Sequence, residues 1–157
     1  MTMIVCGLAD LPGVIAARRP SHVVTLLDPT TLIPTPAGIA PERHLQLGVN
    51  DIAHPMEGMT APQEDLVTRL LDFSGSWDET APMVVHCWAG VSRSTASAFT
   101  LACARSPDTD EAQIAWTLRS LAPHAYPIAG SSPWPTTCWG GAAAWSTPSP
   151  PSGATAM

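Results

Sequence analysis

The stretch Val84-Val85-His86-Cys87-Trp88-Ala89-Gly90-Val91-Ser92-Arg93-Ser94 decides how this chain is read. Met83–Val85 is a continuous apolar run suited to a strand buried on both faces. A loop from Cys87 to Arg93 follows, and then Ser94–Arg105, Ala-rich with Ala96, Phe99 and Cys103 at helical spacing. In a strand–loop–helix unit the loop wraps around the start of the helix. Its backbone N–H groups converge on one point, and the helix dipole adds to their field, which makes an anion site. Gly90 permits a positive φ or a close approach of backbone to bound oxygens. Arg93 offers a planar, permanently charged fork that matches two oxygens of a phosphate. Cys87 then lies under the anion. The amides that hold an anion also hold a thiolate, and in such surroundings a cysteine pKa falls from ~8.5 to roughly 3.5–7.5. A thiolate beneath a phosphoryl group is placed to attack phosphorus.

Outward from this unit, strands and helices alternate. Met3–Cys6, His22–Leu27 and His44–Val49 read as strands, and Leu8–Arg18 as a short helix despite Pro12 and Gly13. Pro62–Phe73 reads as a helix, with Glu64 and Asp65 at its positive end and Leu66, Leu70 and Phe73 on one face. Asp108–Leu121 is another, acidic early and carrying Arg119 late. Strands separated by helices predict an α/β, three-layer fold, its central, mainly parallel sheet flanked by helices.

Charge narrows the function classes. The chain of 157 residues has a net charge of −6 and no lysine, and charged residues make up only 13 % of it. With no basic run, nucleic acid and anionic membranes are not expected partners. Cys6, Cys87, Cys103 and Cys138 follow no disulfide or zinc spacing, and His22, His44, His54 and His124 show no ligand pattern, so no metal or cofactor is expected. The start lacks a basic region ahead of its short apolar run, and no charge-free stretch is apolar enough to span a bilayer. A reduced, cytoplasmic, soluble protein is expected.

The segment His86–Ser94 resembles the H-C-x5-R-[ST] signature of the cysteine-dependent protein tyrosine phosphatases, in the compact dual-specificity-like bacterial form. The resemblance covers Met3 to about Pro123. It implies a phosphatase-like fold and a phosphate-monoester hydrolase that acts through a cysteinyl-phosphate without metal. Cys87 is then the nucleophile, Arg93 binds and stabilises the transferred group, and Trp88, Ala89, Gly90, Val91 and Ser92 line the phosphate loop. Ser94 resembles the hydroxyl that hydrogen-bonds the departing thiolate, and it equally suits a helix first turn. The resemblance gives His86 the task of fixing the loop backbone, while as a lone histidine it could equally be a satisfied core residue. The family also needs a general acid upstream, and Asp51, 36 residues before Cys87, matches the dual-specificity placement. Its competitors Glu57, Asp72 and Asp78 read as loop or solvated helix residues. Trp134-Pro135 follows Cys87 and lacks the Asp of a Trp-Pro-Asp loop, so it carries no reading.

The substrate implied is a phosphorylated protein or a small aryl phosphate. All five residues between Cys87 and Arg93 are neutral, which disfavours inositides with extra phosphates and leaves phosphotyrosine and phosphoserine or phosphothreonine open. Two other readings share the loop: a catalytically impaired phosphate-binding module, and a rhodanese-like sulfurtransferase.

Residues 1–124 form the expected catalytic domain. Residues 125–157 contain no Asp, Glu, Lys or Arg, but six prolines and three of the six tryptophans. This is expected to be an irregular tail. Back-translated with G or C at wobble positions, with one base inserted in the codon of Ile128, Ile128–Gly140 reads as a charged amphipathic helix ending at a glycine, which suggests a shifted frame.

Overall fold

The computed structural model describes residues 1–52 and 56–124. The tail from residue 125, and with it the shifted-frame reading, lies outside the described residues. Four strands, β1 (Met3–Gly7), β2 (His22–Leu27), β3 (His44–Gly48) and β4 (Met83–Cys87), form one sheet in the order β1-β4-β2-β3, every neighbour pair parallel. The helices are α1 (Leu11–Arg18), α2 (Glu64–Ser74), α3 (Arg93–Arg105) and α4 (Glu111–Leu121). Among the described residues no helix is long and apolar enough to cross a membrane.

The expected α/β fold with a parallel sheet is what forms. Alternation along the strands divides the core between the two faces of the sheet. Val24, Leu26, Leu47, Met83, Val85 and Cys87 meet Leu66, Val67 and Leu70 of α2 and Leu101 of α3. Val23 and Val84 face the other way and meet Leu11 of α1, with Val14 and Ile15 packed alongside. Leu26, Leu47, Leu70 and Leu101 are at most 1 % exposed, and each such side chain contributes about 1.5–3 kcal/mol relative to exposure. The helix α4 packs on α3 through Ala115, Phe99 and Cys103 rather than on the sheet.

Several boundaries differ from the sequence expectation: α2 runs Glu64–Ser74 rather than Pro62–Phe73, β1 and β4 extend to Gly7 and Cys87, and α3 opens at Arg93. At three further ends the reason is visible. The helix α1 begins at Leu11, not Leu8, because the Leu8 N–H is taken by the Trp88 carbonyl at 3.0 Å and Asp10 closes a turn onto Gly7. The helix α4 begins after Asp110, whose carboxylate accepts from the N–H groups of Ala112 and Gln113 and caps the helix. The strand β3 ends at Gly48, and the Val49 carbonyl beyond it accepts from Arg93 Nη1 at 2.9 Å.

Candidate active site

The site lies at the carboxyl ends of the strands, where open parallel sheets commonly bind ligands. The strand β4 delivers Cys87 to this edge, 88–92 turn over it, and Arg93 opens α3. The turn is fixed by its contact with the end of β1. Gly90 has φ +74°, and a Cβ there would stand 2.7 Å from both the Cys6 carbonyl carbon and the Gly7 nitrogen. Only glycine meets both conditions. The bond from Leu8 N–H to the Trp88 carbonyl holds the other side of the turn.

Cys87 is 1 % exposed, and its Sγ is 3.2 Å from Ser94 Oγ. Burial pushes the thiol up, but the Ser94 hydroxyl and the backbone N–H groups of Ser94, Gly90 and Ser92 outweigh it and hold the Cys87 pKa below its ordinary value. Cys6, next door on β1, behaves oppositely. Burial, helped by Asp10 and by Cys87, pushes its thiol up to about 11. The loop thus selects one of two neighbouring thiols for ionisation.

Arg93 is buried, at 6 % exposure, and fastened from one side. Its Nη1 donates to the Val49 carbonyl and, at 3.4 Å, to Asp28 Oδ1. Its Nε has no hydrogen-bond partner among the described residues, although Asp51 Oδ2 stands 3.8 Å away. A buried guanidinium N–H left over after anchoring suits an oxyanion acceptor.

Asp51 comes to the same place from the loop after β3. Its Oδ1 accepts from the Ser92 hydroxyl at 2.8 Å, and its side chain is 46 % exposed. The Asp51 carboxyl therefore lies at the mouth, against both the turn and Arg93. The base of its loop is pinned. The Asn50 N–H donates to the Thr60 carbonyl, the Thr60 N–H donates to Asn50 Oδ1, and Asn50 Nδ2 donates to Asp28 Oδ1 at 2.7 Å.

The fold thus brings Cys87, Gly90, Ser92, Arg93, Ser94 and Asp51 together, with His86 buried directly behind Cys87. Trp88 is 60 % exposed beside the mouth, Ala89 is exposed, and Val91 is half-buried. Glu57 is exposed on the Asp51 loop, Asp72 lies near the end of α2, and Asp78 accepts from Thr80 in the connection leading into β4, away from the turn. Sequence reasoning missed Asp28 and Asn50, which together anchor Arg93 and the acid loop. The signal available was their position immediately after β2 and β3. No group of three or more His, Cys, Asp or Glu among the described residues is arranged to hold a metal ion.

No family model matches the chain, and no curated protein matches it by sequence. Solved structures match it by fold. DUSP15 superimposes with a TM-score of 0.68 at 15 % identity, covering 92 % of this chain and 86 % of that one. The Cydia pomonella PTP-2 phosphatase gives 0.61 at 19 %, over 82 % and 80 % of the two chains. PTPMT1 in complex with PI(5)P gives 0.60 at 14 %, over 82 % and 83 %. The fold is that of the cysteine-dependent protein tyrosine phosphatases. Within that class it matches the dual-specificity phosphatases.

Proposed function

We propose that residues 1–124 form the catalytic domain of a phosphate-monoester hydrolase, protein tyrosine or dual-specificity phosphatase-like, working through a cysteinyl-phosphate. The carrying observation is the Cys87 sulfur held under the turn by the Ser94 hydroxyl and three backbone N–H groups, with Arg93 and Asp51 at the same mouth.

In the first step the Cys87 thiolate attacks phosphorus in line. The S–P bond forms as the P–O bond to the leaving group breaks, and Asp51 gives its proton to the leaving oxygen. The amides of 88–93 and the Arg93 fork take the equatorial oxygens, whose charge would otherwise oppose an anionic nucleophile. In the second step Asp51, now a carboxylate, takes a proton from water as its oxygen bonds to phosphorus. The S–P bond breaks, inorganic phosphate leaves, and the Ser94 hydroxyl receives the returning thiolate as a hydrogen-bond donor. Arg93 and the amides neutralise the phosphoryl group, so the scheme calls for no metal.

The substrate proposed is a single phosphate on a phenol or a protein hydroxyl. The five loop residues between Cys87 and Arg93 are neutral, and Asp28 and Asp51 flank the arginine. A second phosphate on the same ligand would meet carboxylates rather than cations. PTPMT1 was solved with a phosphoinositide, so inositides are the competing class to measure. The test is phosphate release from p-nitrophenyl phosphate, then from phosphotyrosyl peptides against inositides, with thiosulfate-to-cyanide transfer as a control. Turnover of the first two with little on inositides supports the reading. Sulfur transfer, or binding of phosphate without turnover, overturns it.

A further inference from the structure

A second polar system runs behind the turn, on the face of the sheet opposite Cys87. His86 Nε2 is 2.7 Å from Thr25 Oγ1. The same hydroxyl is 2.8 Å from His44 Nε2, and His44 Nδ1 is 3.1 Å from Thr35 Oγ1. Strand register builds this chain. Thr25 pairs with His86 across β2 and β4 and with Gln46 across β2 and β3. His44, two residues before Gln46, is thus the diagonal neighbour on the same face. Thr25 and His86 are both 0 % exposed.

One hydroxyl between two imidazole nitrogens has one proton to give. It donates to one ring and accepts from the other, so one Nε2 carries hydrogen and the other does not. Burial pulls the His86 pKa down to about 4 and lowers that of His44, so near neutral pH each ring carries a single proton. The choice made at Thr25 then sets the tautomer of both. At His86 Nδ1 is buried without a hydrogen-bond partner among the described residues, and the Cys87 backbone beside the ring favours a ring N–H.

We infer that Thr25 and His44 are positioning residues for the Cys87 turn, acting through a one-way hydrogen-bond chain. Thr35 O–H donates to His44 Nδ1, His44 Nε2–H donates to Thr25 Oγ1, and Thr25 O–H donates to His86 Nε2. That leaves His86 Nδ1–H turned to the Cys87 backbone, where it steadies the peptide on which the thiolate-holding amides depend. The role in catalysis rests on the reading of Cys87 as the nucleophile; the hydrogen-bond chain itself does not.

The test uses the full chain with 15N-labelled histidine. Long-range 1H–15N correlation at neutral pH reads each tautomer directly, because a bare ring nitrogen resonates far downfield of a protonated one. The expected result is Nδ1–H for His86 and Nε2–H for His44. Thr25→Val, nearly isosteric, is expected to release the His86 tautomer, move the midpoint of Cys87 alkylation by iodoacetamide to higher pH, and lower kcat/KM on p-nitrophenyl phosphate roughly tenfold. Thr25→Ser is expected to restore all three. Should Thr25→Val fail to fold, His44→Phe, at a half-buried position, is expected to change the same readings in the same direction. An Nε2–H tautomer at His86 in the wild type, or a folded Thr25→Val or His44→Phe with unchanged alkylation, overturns the inference. If the wild type releases no phosphate, the hydrolase reading fails while the tautomer and alkylation results still decide this one.

Discussion

The Ser92 hydroxyl donates to Asp51 Oδ1 at 2.8 Å, so the loop after β3 and the turn after β4 meet through a side chain from each. Both loops leave the carboxyl edge of the sheet, but their strands are not neighbours, because β2 lies between them. The contact thus spans the site, and in the proposed mechanism it holds the Asp51 carboxyl beside Arg93, where the leaving oxygen would depart. If that is its purpose, the cost of losing the carboxyl depends on how much the leaving group needs a proton.

For Asp51→Asn the expected loss is roughly 10²–10⁴-fold on phosphate esters with poor leaving groups. It should shrink markedly on activated aryl phosphates. Steady-state rates across a series of leaving groups check this, and an equal loss across the series would place the acid elsewhere.

Asn50→Ala tests the support beneath that acid. The substitution removes the side-chain bonds to Asp28 and Thr60 but leaves the Asn50–Thr60 backbone bond. One or two net hydrogen bonds amount to about 0.5–1.5 kcal/mol each. The expected result is a several-fold to tens-fold fall in kcat that follows the leaving-group pattern of Asp51→Asn, with phosphate inhibition little changed. A fall in phosphate binding instead would mean that Asn50 serves Arg93 through Asp28.

Ser94→Ala has a predicted sign in pH. The Ser94 hydroxyl favours the Cys87 thiolate, so its loss raises the Cys87 pKa. The thiolate is the reactive form, and the acidic limb of kcat/KM should therefore move to higher pH. A limb that stays in place, or moves to lower pH, contradicts the assigned role.

Gly90→Ala is expected to be severe for stability as well as activity. A residue other than glycine in the left-handed region costs about 1–3 kcal/mol, and here the added Cβ also meets β1 backbone at 2.7 Å. Denaturant titration should show a loss at or above that range. A variant as stable as the parent would mean that the turn does not rest on β1 as described.

What the sequence made legible is what consecutive residues determine. The strand, turn and helix of 83–105 are contiguous, so the grouping of Cys87, Gly90 and Arg93 followed from spacing, and the place of Ser94 beside the sulfur from the resemblance. Asp51 was reachable through the family resemblance, which places the acid on a loop a few dozen residues before the cysteine; it lies on the loop after β3. Thr25 and His44 were not legible, since their contact depends on β2 lying between β4 and β3, and Asp28 and Asn50 offered no more than their place just after β2 and β3. Nothing in the run His22-Val23-Val24-Thr25-Leu26-Leu27 says which strand its one central hydroxyl will face. The start of α1 was misread for a related reason. Leu8 has a helical neighbourhood in sequence, yet its N–H serves a turn eighty residues away.

The central claim is that phosphate leaves through a covalent bond to Cys87. Acid quenching during turnover of an aryl phosphate, followed by mass spectrometry of the peptides, reads that bond directly. The account predicts one phosphoryl group on the peptide containing Cys87 in the wild type, more of it in a variant slowed in the second step, and none in a folded, inactive Cys87→Ser. Turnover with no phosphoryl group on Cys87, or a Cys87→Ser protein that keeps more than a few per cent of the activity, would contradict it.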